Sequence, residues 1–359
     1  MAAATEKLSN GEKLARSFRD IDYLRAAKRA FDAKPMQCSL YVTDRCNLDC
    51  GYCTEYDNSR AHPPLDVILR RLDHIRALGT LRVALVGGEP LLHPDIVEIV
   101  RHARKIGFST SLTTNAFPLT RTLVRELEDA GLEVMQISVD RILPSDISKK
   151  SLKSVAGRIE LMRESRIKLH ITGTICADTA DDALTVLDHG LSRGIPTEVR
   201  LVHAGPDQQM RVAPADRQAQ RRIIETMQAR KKAGEPVHTT DTILDYQLKL
   251  IDGEDVANQW VCAAGYKIFF VSADGKFMEC SMRPTDRDIL DMNVDDLRSY
   301  FRVKDCQSGC GVYCAVSTSM FVASPLRFVG REVRARVGQA LRTARAGAND
   351  TPPRAAAAE

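Results

Sequence analysis

Between residues 39 and 203 the chain alternates six short β-rich runs with amphipathic helical patterns, which sets the class of fold before any single residue is weighed. The runs are CSLYV, LRVALV, FSTSLTT, EVMQISV, LHITGTI and TEVRLVH. Between them apolar residues recur at i, i+3 and i+4, as in Ile68, Leu72, Ile75 and Leu78, or Ile96, Val97, Val100 and Ala103. Strands alternating with helices of this length form crossover units, so the pattern predicts an α/β fold with a parallel sheet. Six units are fewer than the eight of a closed barrel. A partial barrel and an open sheet both satisfy the pattern.

The 359 residues leave room for a smaller appendage beside that sheet. A net charge of +4 is too mild to indicate a nucleic-acid partner. No apolar run reaches the roughly 18 residues needed to span a bilayer. The start, MAAATEKLSNGEKLARSF, lacks the apolar stretch of a secretory signal, so a cytoplasmic protein is expected. Its ten cysteines then read as thiols rather than disulfides. Three cluster at 46 to 53, five lie between 262 and 314, and Cys38 and Cys176 stand alone.

The first group, in VTDRCNLDCGYCTEY, is Cys46, Cys50 and Cys53, in the loop after the first strand. That is the C-terminal mouth of the sheet, where α/β proteins build their sites. A structural zinc wants four ligands, and a distant Cys or His would have to complete one here. Three thiolates suit three irons of a [4Fe–4S] cube and leave the fourth open. The second strand ends in LVGGEPLLHPD, the third in LTTNA and the fourth in QISVD. Paired glycines let a backbone approach a ligand closely, and Glu89 can accept from that ligand's ammonium group.

CNLDCGYC resembles the C-x3-C-x-aromatic-C signature of the radical SAM superfamily, and Gly87, Gly88, Glu89 and Pro90 resemble its GGEP loop. The resemblance spans residues 36 to 205 and implies a partial (β/α)6 TIM-like barrel. It implies that S-adenosyl-L-methionine chelates the open iron through its amino and carboxylate groups. Reductive cleavage then gives a 5′-deoxyadenosyl radical that abstracts a substrate hydrogen. By the same resemblance Tyr52 packs near the adenine, Ser138 contacts the ribose or carboxylate, and Thr114 and Asn115 face the mouth. Gly173, inside a strand, leaves room for the adenine face.

The second group opens with CAAGYKIFFVSADGKFMEC, two alternating runs around Asp274-Gly275 that predict a hairpin with Cys262 and Cys280 near its ends. The C-x12-G-x4-C spacing resembles the SPASM and Twitch extensions found on one branch of the superfamily. A full SPASM domain carries about seven such cysteines. Here there are five, ending in Cys306, Cys310 and Cys314. They suffice for one auxiliary [4Fe–4S] cluster with one thiol spare, and the spacing leaves open which of the last three that is. A zinc ribbon across the hairpin is the alternative.

The expected organisation is an N-terminal helical extension (1–35), the barrel (36–210), a helical bridge (211–255), a Twitch/SPASM-like domain (256–325), and a basic amphipathic helix with a disordered tail (326–359). In that last helix Leu326, Val329, Val333, Val337 and Leu341 form an apolar stripe among six arginines, which suits docking on its own domain or peripheral membrane contact. Cys176 at the mouth could return a hydrogen atom to a substrate radical, and His203 could serve as a general base. His93 reads as a helix-entry residue.

The expectation for function is a radical SAM oxidoreductase that oxidises or rearranges a small molecule, with a low-potential reductant such as flavodoxin or ferredoxin. The alternative is a peptide maturase, crosslinking or epimerising a ribosomal product. Residues 1–35 are too few for a leader-binding winged-helix domain, so a separate protein would supply one. A non-enzymatic electron carrier would have no use for the GGEP loop.

Overall fold

The alternation folds as six parallel strands: β1 (Gln37–Thr43), β2 (Arg82–Gly87), β3 (Ser109–Thr114), β4 (Val134–Ser138), β5 (Lys168–Ile175) and β6 (Thr197–Leu201). This is a computed structural model, and it describes residues 28–176, 179–202, 217–254, 256 and 260–331. Five helices follow the first five strands: α1 (Leu65–Ala77), α2 (Ile96–Lys105), α3 (Arg121–Asp129), α4 (Leu152–Arg163) and α5 (Ala180–Leu191). The arrangement is the expected partial (β/α)6 barrel.

Side chains alternate across each strand and so sort into two faces. Leu40, Val83, Leu85, Leu112, Met135, Ile137 and Ile171 face the helices and join Ile68, Leu72, Ile75, Ile99 and Val100 in the main core. Burying each such aliphatic side chain contributes about 2 kcal/mol. The opposite positions line the barrel interior and are largely polar, among them Ser39, Gln136, Ser138, His170, Thr172, Glu198 and Arg200. The interior is therefore equipped to bind rather than merely to pack.

Two findings depart from the sequence-based expectation. The expected bridge is not a linker. Its helices α6 (Arg217–Ala233) and α7 (Asp241–Asp252) pack Ile223, Ile224, Met227 and Leu244 against Ala183, Leu187 and Val199, forming a second core over the β6 edge. Nor does the cysteine hairpin stand on a sheet of its own. Strand β7 (Ile268–Val271) pairs parallel with β1, from Gln37↔Ile268 to Leu40↔Val271, and β8 (Lys276–Cys280) and β9 (Arg283–Asp288) extend the same sheet antiparallel. The order is β6-β5-β4-β3-β2-β1-β7-β8-β9. The hairpin turns at Gly275, whose φ of +94° suits glycine.

Helices α8 (Val294–Ser299) and α9 (Tyr313–Ala323) complete the cysteine-rich part. Near the start, residues 28–31 are helical, and the buried Lys267 ammonium donates to the carbonyls of Arg29, Asp32 and Lys34, tying this segment to the hairpin. The chain is helical again at 325–331, with Phe328 against Phe321. Residues 1–27 of the expected extension, and Val333, Val337 and Leu341 of the basic helix, lie outside the described residues. Among the described residues no helix is long and apolar enough to cross a membrane.

Candidate active site

The loop bearing Cys46, Cys50 and Cys53 leaves the C-terminal end of β1, and segments after β2, β3 and β4 converge on it. The Leu48 amide donates to the Cys46 sulfur at 3.4 Å and the Lys149 amide to the Cys50 sulfur at 3.3 Å. The Asn115 side chain, just past β3, donates to Asn47 Oδ1 at 2.8 Å and reaches the Cys46 sulfur at 3.8 Å. Burial pushes the thiols of Cys46 and Cys53 up, and the ammonium of Lys150 pulls both down.

Beside these thiols lies a network the sequence did not reveal. Tyr52 donates its hydroxyl to Asp140 at 2.9 Å and accepts from Lys150 at 2.8 Å. Asp140 also accepts from the Ser148 hydroxyl at 2.6 Å and the Thr174 amide at 2.8 Å. Tyr52 is expected at the site from its motif. The signal for Asp140 is its position at the end of β4. Lys150 carried no local signal, because a turn over residues 141–151 brings it back.

The glycines of the GGEP loop are called for by the protein's own backbone. Gly87 has a φ of +141°, and a Cβ there would overlap the Thr43 carbonyl oxygen. A Cβ on Gly88 would overlap the Arg45 carbonyl. The close approach is thus to the cysteine loop, held by Gly88 N–H to Thr43 O at 3.0 Å and Glu89 N–H to Arg45 O at 2.8 Å. Glu89 is fully buried, accepting from the Thr114 hydroxyl at 2.6 Å, the Asn115 amide at 2.6 Å and the Leu91 amide at 3.0 Å. These three bonds clamp β2 and β3 together at the mouth. Pro90 opens the short 3-10 turn Pro90–Leu92. Gly87→Ala is expected to cost about 3 kcal/mol through strain and overlap, read as a lowered denaturant midpoint.

In the second group, Cys262, Cys280, Cys306 and Cys310 line one cavity together with Trp260, Lys304 and Arg283. The Lys304 ammonium lies 3.8 Å from the Cys262 sulfur and an Arg283 nitrogen 4.0 Å from that of Cys306. Burial raises Cys280 to about 11 and Cys310 to about 12, each also pushed by the other thiols of this group. Cys314 does not line that cavity. Its neighbours in charge are Arg200, on the inner face of β6, and Glu55, just past Cys53. Glu55 in turn accepts a hydrogen bond from Tyr41 of β1.

Neither group has single-ion spacing. Two thiolates on one zinc at 2.3 Å lie no more than about 4.6 Å apart. Among the described residues the one His/Cys/Asp/Glu set of three or more with ligand atoms all within 4.8 Å is His170, Glu198 and His238, which contains no thiol. Amide and cationic donors near these sulfurs suit thiolates that carry charge, as thiolate-held iron–sulfur clusters require.

Residues 40–189 match the family model described as the radical SAM superfamily. That span is a radical SAM domain. It is 41% identical over 107 residues to a PqqA peptide cyclase of Bradyrhizobium diazoefficiens, covering 29% of this chain and 28% of that protein. It is 33% identical over 200 residues to a GTP 3′,8-cyclase of Clostridium perfringens, covering 52% of this chain and 57% of that one. The chain thus spans less than two thirds of either relative. In fold it is similar to Streptococcus suis SuiB bound to precursor peptide SuiA, with a TM-score of 0.58, 16% identity, and coverage of 86% of this chain and 74% of that one.

In and beside this radical SAM domain the other candidate residues fall as follows. Ser138 ends β4, half-buried on the barrel's inner face. Gly173 turns the other way: a Cβ would meet the Val139 carbonyl at 2.7 Å and Val199 and Val186 beyond it. Its missing side chain leaves room for packing under α5. Cys176 is fully buried, its amide bonded to Thr179 Oγ1 at 2.6 Å. His203 lies outside the described residues. His93 is buried and donates from Nε2 to the Pro63 carbonyl at 3.0 Å, a structural role.

The trio at the base of the barrel invites a metal reading that its charges oppose. Glu198 pairs with Arg200 and accepts from Thr239 at 2.6 Å, and Arg200 and Arg82 both bear on the histidines. His170 donates to Gln136 at 3.0 Å, and its ring stacks on His238 at 4.2 Å. Burial, then His238, holds His170 at about 3, while burial is outweighed at Glu198, chiefly by Arg200, leaving it at about 2. Between the unfolded histidine value near 6.5 and about 3, only the unfolded chain takes up the proton. Stability is therefore expected to fall as pH drops through that window, by at most about 1.4 kcal/mol per pH unit for each proton. Denaturation at pH 8 to 5 checks this: His170→Gln should give a shallower decline.

Proposed function

We propose that the chain is a radical SAM enzyme that modifies a peptide. Cys46, Cys50 and Cys53 hold the catalytic [4Fe–4S] cluster, and S-adenosyl-L-methionine binds against Tyr52, the Gly87–Pro90 loop, Asn115 and Ser138. Cys262, Cys280, Cys306 and Cys310 hold one auxiliary cluster in a Twitch/SPASM-like extension. A low-potential flavodoxin or ferredoxin is the reductant. When bound, these groups supply a 5′-deoxyadenosyl radical that removes a substrate hydrogen.

The chain's own residues do the positioning. Glu89, through Thr114 and Asn115, fixes the mouth of β2 and β3. The backbone of β1 locks the GGEP loop through Thr43 and Arg45. Tyr52 is held by Asp140 and Lys150, so its ring has one orientation. Glu55 and Arg200 present charge toward the barrel interior, where a peptide's polar groups need partners.

The observation that carries the peptide reading is the 41% identity to a peptide cyclase, joined by a fold likeness to a protein crystallised with its precursor peptide. This moves the peptide alternative ahead of the small-molecule reading that the cysteine spacing favoured. The second reading, a small molecule, keeps support from the longer match to a GTP cyclase.

Anaerobically reconstituted protein with S-adenosylmethionine and dithionite separates the two. Peptides encoded beside the gene should raise deoxyadenosine release and lose hydrogen by mass. Release stimulated only by nucleotides, sugars or alcohols would overturn the peptide reading.

A further inference from the structure

We propose that Lys150 is a positioning residue that sets the reduction potential of the catalytic cluster, making it easier to reduce. The inference rests on the proposed function, which puts a cluster on Cys46, Cys50 and Cys53. The turn after β4 folds back over the cysteine loop: Gly51 donates its amide to the Asp146 carbonyl at 3.0 Å, and Lys149 donates its amide to the Cys50 sulfur at 3.3 Å. These two bonds carry Lys150 to the thiols. Its ammonium donates to Tyr52 Oη at 2.8 Å and lies 5.1 Å from the centre of that ring, on the residue directly before Cys53.

Charge bookkeeping gives the sign. Adding an electron to a cube on three thiolates makes an anionic site more anionic, and a fixed cation stabilises the reduced form more than the oxidised one. Asp140, which accepts from Tyr52, Ser148 and Thr174, carries an opposing charge, but the charge that bears on Cys46 and Cys53 is that of Lys150. Burial opposes the ammonium, but Tyr52, Asp140, Cys53 and Cys50 keep it charged. Lys149, its neighbour, instead turns its ammonium to Asp146, 2.9 Å away.

The test is an anaerobic redox titration of the full reconstituted chain, following the EPR signal that shifts on adding S-adenosylmethionine. Lys150→Met should leave about tenfold less of that cluster reduced at a fixed potential, equal to about 59 mV for a one-electron couple. Lys150→Arg should titrate near the parent. Lys153→Met, the same charge loss on the exposed start of α4, should not move the signal. Should Lys150→Met fail to retain iron, Lys150→Gln drops the charge while keeping a donor for Tyr52 and is read the same way. A charge-loss variant that holds its iron and titrates with the parent overturns the proposal. A parent signal that ignores S-adenosylmethionine overturns the catalytic-cluster assignment, and the role of Lys150 with it, so the two failures are distinct.

Discussion

Cys50→Ser, purified and reconstituted without oxygen, is expected to hold about four irons per chain against about eight in the parent, and to release no deoxyadenosine above background. Cys50 is the most buried thiol of its loop and receives the Lys149 amide. A serine oxygen there is a harder, weaker iron ligand on a shorter bond. The proposed auxiliary site draws its thiols from Cys262, Cys280, Cys306 and Cys310, so its share of iron should stay. Iron analysis with deoxyadenosine quantification checks both halves. Retention of full release by Cys50→Ser would remove the basis of the proposed chemistry.

The second large effect distinguishes two cysteines four residues apart in the chain. Cys310→Ala is expected to lose the auxiliary cluster, about four irons per chain, whereas Cys314→Ala keeps the parent iron content. Cys310 precedes α9 and lines the cavity with Cys262, Cys280 and Cys306. Cys314 is the second residue of α9 and faces Arg200 and Glu55. Absorbance near 400 nm and iron content read the difference. The reverse pattern would show that the cluster draws on the other face of the helix.

Much of this was legible in the residues themselves. Strand–helix alternation is a local, repeated signal, and the parallel strands fell where it put them. The Cys46, Cys50 and Cys53 spacing is local too, and so is the Asp274-Gly275 turn. What escaped depends on contacts between distant segments. The spacing C-x3-C-x3-C cannot tell which thiol turns away, because that is decided by where α9 begins. The glycines of the GGEP loop are demanded by carbonyls of Thr43 and Arg45, over forty positions earlier. In α6, Ile223, Ile224 and Met227 are few among polar neighbours, so a packed barrel helix read as a bridge. The face of β5 that Gly173 occupies is likewise set by contacts with Val139, Val186 and Val199, far from it in sequence or on other elements.

The ladder between β1 and β7 has a mechanical consequence. One strand carries the cysteine loop at its end and, along its other edge, supports the hairpin that presents Cys262 and Cys280. The gap between the two groups of thiols is therefore gauged by a hydrogen-bonded ruler with no hinge in it. Electron tunnelling between centres mounted this way would not wait on domain motion. Lengthening that ruler by one residue within β1 would turn its side chains over and uncouple the two ends at once.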